Sequence, residues 1–282
     1  MSDSNWSEPD WQRELRIDPR ATAKLITLAL TTVDEEAAWE PVVVLHYRAN
    51  REVLKAAHEL SLSDCPTERE LAANILGQLG VPDRIYPKEA IGLLLNMLER
   101  EQVDAVLQAI GVALGHQDTP LTIEPMTLLR NHSSAEVRWS VAYALAGQED
   151  ERAIQALIEL SEDPDGGVRD WATFALGSQL ELDTPAIREA LARRLEDPHE
   201  EAQGEAMIGL AKRGDTRVVE PVLRELTSDQ VRVYAIEAAG LIGDPRLYSA
   251  LLDMRQECTD DCYSATLLKE AIARCTPGTE ST

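Results

Sequence analysis

The sequence predicts an all-α fold, an α-solenoid of about seven or eight helical hairpins, and three observations carry that prediction. One helical phrase is written four times between Glu136 and Gly243. It begins Glu136-Val-Arg-Trp-Ser-Val-Ala-Tyr-Ala-Leu-Ala, then Gly167-Val-Arg-Asp-Trp-Ala-Thr-Phe-Ala-Leu-Gly, Glu201-Ala-Gln-Gly-Glu-Ala-Met-Ile-Gly-Leu-Ala and Gln230-Val-Arg-Val-Tyr-Ala-Ile-Glu-Ala-Ala-Gly. With Val137, Val168, Ala202 and Val231 in one register, the copies stand 31, 34 and 29 residues apart, the period of stacked helix pairs. Between the copies, apolar residues recur at three- and four-residue spacing, as in Ile154, Leu157 and Ile158, and no strand-like alternation survives beside them. Aromatics make up only 4% of the chain, while Ala, Leu, Ile and Val dominate its 44% hydrophobic fraction, which suits closely packed helices. An array grows in one dimension, so 282 residues read as one elongated domain.

Taken in order, residues 1–20 form a polar N-terminal lead-in. Its tryptophans, Trp6 and Trp11, either rest on the first helix pair or belong to an arm that docks elsewhere. Residues 21–275 carry the repeats, diverged over 21–135, regular over 136–250 and capped by 251–275; residues 276–282 read as a disordered tail. Leu25, Ile26, Leu28 and Leu30 mark the first helix, and Asp34-Glu35-Glu36 opens the second, where Pro41 predicts a kink or a late start. Val53, Leu54, Ala57 and Leu60 mark the next. After the break at Asp64-Cys-Pro66, Thr67-Glu-Arg-Glu70 reads as a capping box before Leu71 to Gly77. Matching Leu76-Gly77 to Leu176-Gly177 puts Glu68 in the Val168 position, and a copy ending at Gly115 puts Gln102 there, in steps of 34 and 35. Partner helices are expected over 89–100, 123–130, 153–161, 186–195, 218–226 and 247–254, with a last helix over 263–274. Breakers such as Gly80-Val-Pro82, Asp163-Pro164, Thr184-Pro185, Asp197-Pro198 and Gly243-Asp-Pro245 stand at the joints.

Charge narrows the function. The chain holds 27 Lys and Arg against 50 Asp and Glu, a formal charge of −23. Such a field repels phosphates and draws in cations and basic proteins, so nucleic acid is not an expected partner. The N-terminus lacks the basic and apolar regions of a signal peptide, and no apolar run reaches the roughly 18 residues that span a membrane. A cytoplasmic protein with no membrane contact is the expectation. Four cysteines are too few and too unevenly placed for a disulfide framework.

The Asp-Pro turn, then Val-Arg, then Ala-x-x-Ala-Leu-Gly resembles the HEAT repeat, in its phycobilisome-lyase-like bacterial variety. The match is specific over 136–250 and weaker over 21–135, and in one copy Ala202-Gln203 replaces Val-Arg. The layout is also similar to HEAT-repeat proteins encoded beside bacterial polymorphic-toxin genes, which implies an immunity role. The phycobilisome-lyase resemblance implies the alternative, a bilin lyase handling a chromophore.

Candidate residues follow from the helical register. Arg69, Arg138, Arg169 and Arg232 share one early position in the second helix of each pair. They form either a ladder for an anion or, as is usual for a planar donor fork, bonds to an Asp or a turn carbonyl of a neighbouring repeat. With about 100° per residue, the first, fifth, sixth and ninth positions are buried: Val137, Val141, Ala142 and Leu145, or Val168, Ala172, Thr173 and Leu176. The third and seventh positions lie opposite, on the expected concave surface, and there stand Trp139, Tyr143, Asp170, Phe174, Ile208 and Glu237. An apolar and aromatic ribbon edged by acids suits a basic protein partner. The competing reading packs these side chains across to the next repeat. His-Glu pairs, which iron-binding HEAT hydroxylases carry inside second helices, are absent at those positions: they read Trp139-Ser140, Asp170-Trp171, Gly204-Glu205 and Val233-Tyr234. Cys258, Cys262 and Cys275 lack the paired spacing and nearby histidine of a zinc site, and read as free thiols or a redox-sensitive pair. No phosphate loop, nucleophile elbow or Ser/His/Asp arrangement appears. The expectation is a non-catalytic binder with no metal and no cofactor.

Overall fold

The computed structural model describes residues 9–48, 50–257 and 263–277, and divides the chain into two compact units, 1–144 and 145–282. Unit 1 contains α1 (Asp10–Arg16), α2 (Thr22–Thr31), α3 (Glu35–Arg48), α4 (Arg51–Ser61), α5 (Pro66–Gly77), α6 (Pro87–Leu98), α7 (Asp104–Gly115), α8 (Ile123–Leu128) and all but the last residue of α9 (Ala135–Leu145). Unit 2 contains α10 (Glu151–Leu160), α11 (Gly166–Phe174), α12 (Pro185–Arg194), α13 (Glu200–Lys212), α14 (Val219–Leu226), α15 (Val233–Ile242), α16 (Tyr248–Glu257) and α17 (Tyr263–Cys275). Each unit is a stack of four helical hairpins, and no strand occurs among the described residues. The partner helices fall within three residues of their expected bounds.

Local chemistry explains where the helices begin. The side chains of Asn50, Asp150, Asp165 and Thr184 accept backbone N–H groups of the first turns of α4, α10, α11 and α12, the usual N-cap bond. Pro66 and Pro185 stand at first helical positions, where a missing N–H costs nothing. Pro66 therefore starts α5 ahead of Thr67, and the expected capping box does not form: Cys65 is the N-cap without a side-chain bond to the helix backbone, while Ser63 and Glu68 bond each other. Pro41 lies inside α3, which starts at Glu35, so there is no late start. The lead-in is partly helical, and Trp11 of α1 packs edge-on against Tyr47 of α3, ring centroids 5.5 Å apart. Trp6 lies outside the described residues.

Within each unit the second helices of successive hairpins pack more extensively on one another than the first helices do, α5 on α7 in unit 1 and α11, α13, α15 and α17 in unit 2. The buried arc is as expected: Val137, Val141, Ala142 and Leu145, and Val168, Ala172, Thr173 and Leu176, are all at 0% exposure. Small residues set the spacing. A Cβ on Gly209 would stand 2.6 Å from Gly177 Cα, so α11 and α13 meet backbone to backbone. Gly115 has the same place in unit 1, where a Cβ would stand 3.2 Å from Ala144 Cα. That contact corrects the register of α7. Gln102 precedes the helix, and Val106, nine residues before Gly115 as Val168 is before Gly177, takes the Val168 position at 0% exposure.

The repeated arginines are structural. Arg169 holds Asp197 through two 2.8 Å bonds and the carbonyls of Asp163 and Pro164 through its third nitrogen. Arg69 repeats this with Glu101 and the Ser63 and Asp64 carbonyls. Arg138 takes the His132 and Ser133 carbonyls. Arg232 is an N-cap rather than a helical residue, held extended by Glu225, and it donates to the Glu200 carbonyl and to Gln203, the residue that replaces arginine one repeat earlier. The forks of Arg69, Arg169 and Arg232 each join their own turn to a neighbouring hairpin and that of Arg138 holds its own turn, so the ladder is spent on the fold.

Candidate functional site

The third and seventh positions of the second helices are the sequence candidates, and their surroundings differ between the units. In unit 1, Trp139 and Tyr143 lie one turn apart on α9 and stack, centroids 5.5 Å apart and planes 18° from parallel. Tyr143 meets the His116 ring edge-on, with its hydroxyl 3.3 Å from His116 Nδ1. Both are half-buried. The pair is partly covered and not a bare ribbon.

In unit 2, Asp170 and Phe174 on α11 and Glu237 on α15 are also half-buried, and Phe174 packs edge-on against Trp171. Ile208 does not belong with them. It is 5% exposed, shut in where α13 presses against α11 at Gly209 and takes the Tyr234 ring of α15 over Gly204. A Cβ on Gly204 would lie 2.4 Å from that ring. The missing side chain at position 204 lets α15 approach, and this close packing removes Ile208 from any partner surface.

Two residues that the third and seventh positions overlook complete the group. Glu205 and Tyr234 occupy the fourth position of their phrases, beside Gly204 and Val233. Glu205 accepts a 3.0 Å bond from the Ser178 hydroxyl, which belongs to the π-helical stretch 175–179 that ends α11. Burial pushes the Glu205 carboxyl above its ordinary range, and Asp170 and Glu237 add to the rise against the Ser178 bond and Lys212. Burial likewise raises Asp170, with Glu201 and Asp197 adding to it and His199 opposing. Tyr234 rises through burial and then through Glu205, Asp170 and Glu201. These groups thus feel one another, and no arginine bonds Asp170 or Glu205 among the described contacts. Reading the fourth position with the third and seventh would have found Glu205 and Tyr234.

Two more enclosed acids, Asp197 and Glu101, are arranged in the opposite way. Burial raises Asp197 and Glu101, but Arg169 and Arg69 outweigh it and both carboxyls end below their ordinary range. Arg217 takes Asp215 down to about 2. Asp170 and Glu205 therefore hold carboxylates that the fold has desolvated without bonding them to an arginine, and the opposing effects of His199 and Lys212 leave both raised, an arrangement suited to an incoming cation.

Cys275 is buried, its thiol donating toward the Ala239 carbonyl at 3.3 Å, and burial raises its pKa to about 11. Cys258 and Cys262 lie outside the described residues. No described helix is long and apolar enough to cross a membrane.

The family model for HEAT repeats matches residues 91–177 and 187–268. Protein YibA of Escherichia coli K12 is 30% identical over 225 residues, 77% of this chain and 79% of YibA. The crystal structure of E. coli YibA superposes with a TM-score of 0.75 at 25% identity, covering 97% of this chain and 99% of that one. An engineered protein shares the fold at 21% identity and a TM-score of 0.53, covering 90% and 77%. The complex of CpcE and CpcF of phycocyanin lyase from Nostoc sp. is similar at 15% identity and a TM-score of 0.48, covering 98% of each chain. With its register of buried positions, its arginine-bound turns, the family-model match over more than half of its length and the YibA relative, the chain belongs to the HEAT-repeat family.

Proposed function

We propose that this chain is a non-catalytic binding protein whose partner is a basic protein. It engages that partner through Asp170, Glu205, Tyr234 and Glu237 of unit 2, with an aromatic contact at Phe174 there. The observation that carries the reading is the contrast in unit 2. Asp197 is given an arginine, whereas Asp170 and Glu205 are left raised by burial and by other acids. A lysine or arginine from a partner would supply the missing charge, and desolvated carboxylates gain more from it than exposed ones do. The −23 formal charge favours fast, salt-dependent encounter with such a partner. Half-buried aromatic side chains are frequent anchors at protein interfaces. A cationic toxin is the partner class that best fits both the charge and the resemblance to HEAT proteins encoded beside toxin genes, which makes immunity the sharpest form of the proposal.

The test is a tagged pull-down from the source cell, washed at low and at high salt, with mass spectrometry of what remains. One stoichiometric basic protein, lost as salt rises, is the expected result. An acidic or salt-indifferent partner would sink the charge argument. Once a partner is in hand, Phe174→Ala should weaken it, and an unchanged affinity would overturn the aromatic assignment.

A further inference from the structure

A second group of polar side chains, in unit 1, is built by the fold without being used up by it. α5 stops at Gly77, and the chain turns through residues 78–86, where Gly80, Arg84 and Tyr86 have φ of 82°, 54° and 63°. Arg84 and Tyr86 are strained there, since a side chain disfavours positive φ. The turn is held by Gly80 N–H donating to the His46 carbonyl at 2.8 Å and Arg84 N–H to the Gly80 carbonyl at 2.6 Å. The Arg84 guanidinium then reaches back to the Gly77 carbonyl at 2.6 Å.

That carbonyl does not need Arg84. Gln117 already bonds it at 2.7 Å and bonds the Leu76 carbonyl as well. In unit 2, Arg213 makes the matching bonds to Gly177 and Leu176, and it stands three residues after Leu210 as Gln117 stands three after Leu114. Capping of the preceding second helix is thus the task of Gln117, and Arg84 is extra. It is half-buried, bonds no carboxylate, and keeps further N–H groups that have no described acceptor and are not sealed from solvent. In a chain of charge −23, an arginine in a strained turn without an acid is poorly explained by stability alone.

Its neighbours have compatible chemistry. The Gln78 amide nitrogen lies 3.3 Å from His116 Nε2, which fixes one amide N–H on the ring and leaves the second for another acceptor. Burial and then the charge of Arg84 hold the His116 pKa below its ordinary value, so the ring stays neutral and can accept that bond. The stacked rings of Tyr143 and Trp139 continue the row from His116.

We infer that Arg84 and Gln78 form a binding site in unit 1 for an oxyanion, a carboxylate or a phosphate group, with His116 positioning the amide and Tyr143 and Trp139 as its aromatic wall. A guanidinium fork matches both groups in geometry and charge. The site is distinct from the carboxylates of unit 2 and takes the opposite charge, so it stands or falls independently of the proposed basic partner.

Calorimetric titration of the full chain with inorganic phosphate, and separately with benzoate, tests the inference. Both titrations are run at about 0.15 M ionic strength matched with chloride, so that the net charge of the chain is screened. At least one probe binds saturably at one site, and the tighter of the two identifies the group that carries the oxyanion. Arg84→Gln weakens that binding about tenfold or more, Arg84→Lys less, and Gln78→Glu, which places a carboxylate in the site, abolishes it. Asp170→Asn, in the other unit, leaves it unchanged. If Arg84→Gln loses its helical circular dichroism, Gln78→Glu carries the same test. The inference is overturned if neither probe saturates on the native chain, or if Arg84→Gln and Gln78→Glu bind as the native chain does.

Discussion

Two helix-interior glycines should respond to the same substitution with opposite sign. Gly209→Ala and Gly92→Ala each add one methyl group and each relieve the conformational entropy that glycine loses in a helix. That relief is worth about 1 kcal/mol in both cases. Nothing lies within 4 Å of a Cβ on Gly92, which faces open space on α6 between Arg51 and Lys55 of α4 and its own Glu89, so the full gain is expected there. At Gly209 the new carbon would stand 2.6 Å from Gly177 Cα and 3.0 Å from Leu191 Cδ1. The first neighbour is backbone and can yield only by moving α11 from α13. Overpacking of this kind costs about 1–3 kcal/mol, and more where backbone must shift, so the net loss should be about 1–2 kcal/mol. Because a repeat array need not unfold in one step, native-state hydrogen exchange is the assay, read separately in each unit. Gly209→Ala should lower protection in α11 and α13, and Gly92→Ala should raise it in α6. If Gly209→Ala left α11 and α13 as protected as before, the claim that backbone contact sets the spacing of the second helices would be wrong.

Two further outcomes follow from the polar contacts. Asp197→Asn keeps an acceptor for the His199 N–H but removes the charge facing Arg169, and loss of this nearly enclosed pair should cost about 3 kcal/mol in urea unfolding. Glu196→Gln, which breaks the exposed pair with Arg224, should give no resolvable change and serves as its control. His46 is enclosed by α3 and α5 with Nε2 on the Asn74 carbonyl, and burial holds its pKa at about 4 against an ordinary 6.5. The unfolded chain therefore binds a proton that the folded one refuses. Stability from this group is complete above about pH 6.5 and falls by up to about 3 kcal/mol as pH drops toward 4. His116, also lowered by burial and by Arg84, adds to the fall in the same direction. His46→Gln, measured by unfolding at about pH 7 and about pH 5, should flatten that dependence; an unchanged slope would mean that His46 does not titrate as described.

Much of the fold is legible in the chain because the second helices are constrained on nearly every side. The buried arc follows from helical geometry alone, and Val168, Ala172, Thr173 and Leu176 could hardly be misplaced once the period was known. The arginine-to-turn bonds were legible for the same reason: a fork at a fixed position must meet the same turn in each copy. What the sequence hid depended on contacts between helices. The register of α7 slipped by one turn because Gly111 and Gly115 both follow apolar residues, and only the backbone approach of Ala144 to Gly115 shows which one holds the Gly177 position. Ile208 looked like a surface residue on its own helix, yet the absence of a side chain at Gly204, on that helix, draws α15 over it. Glu205 was overlooked although a single-helix projection places the fourth position as far outside the buried arc as the third. Its raised carboxyl comes first from burial and then from the α11 and α15 acids, Asp170 and Glu237.

That last feature allows function and stability to be separated. Asp170 and Glu205 are both raised, so the folded unit binds protons more readily than the unfolded chain over the interval above their ordinary range. Their contribution to stability is therefore fully present at low pH and is lost as pH rises through the raised values, the reverse of Asp197. At neutral pH the two carboxylates are a strain on unit 2. Asp170→Asn removes one desolvated charge and one of the acids that raise Glu205, so it should stabilise unit 2 at neutral pH and reduce the rise in stability on mild acidification. If these acids served only the fold, a substitution that stabilises it would have no reason to be costly. The basic-partner reading predicts a cost: Asp170→Asn should weaken the partner and reduce the salt dependence of binding while unit 2 becomes more stable, the trade expected where a site keeps strain for its ligand. Urea unfolding and partner affinity measured on the same variant decide it. A variant that is more stable and binds equally well would reduce the carboxylate group to a feature of packing.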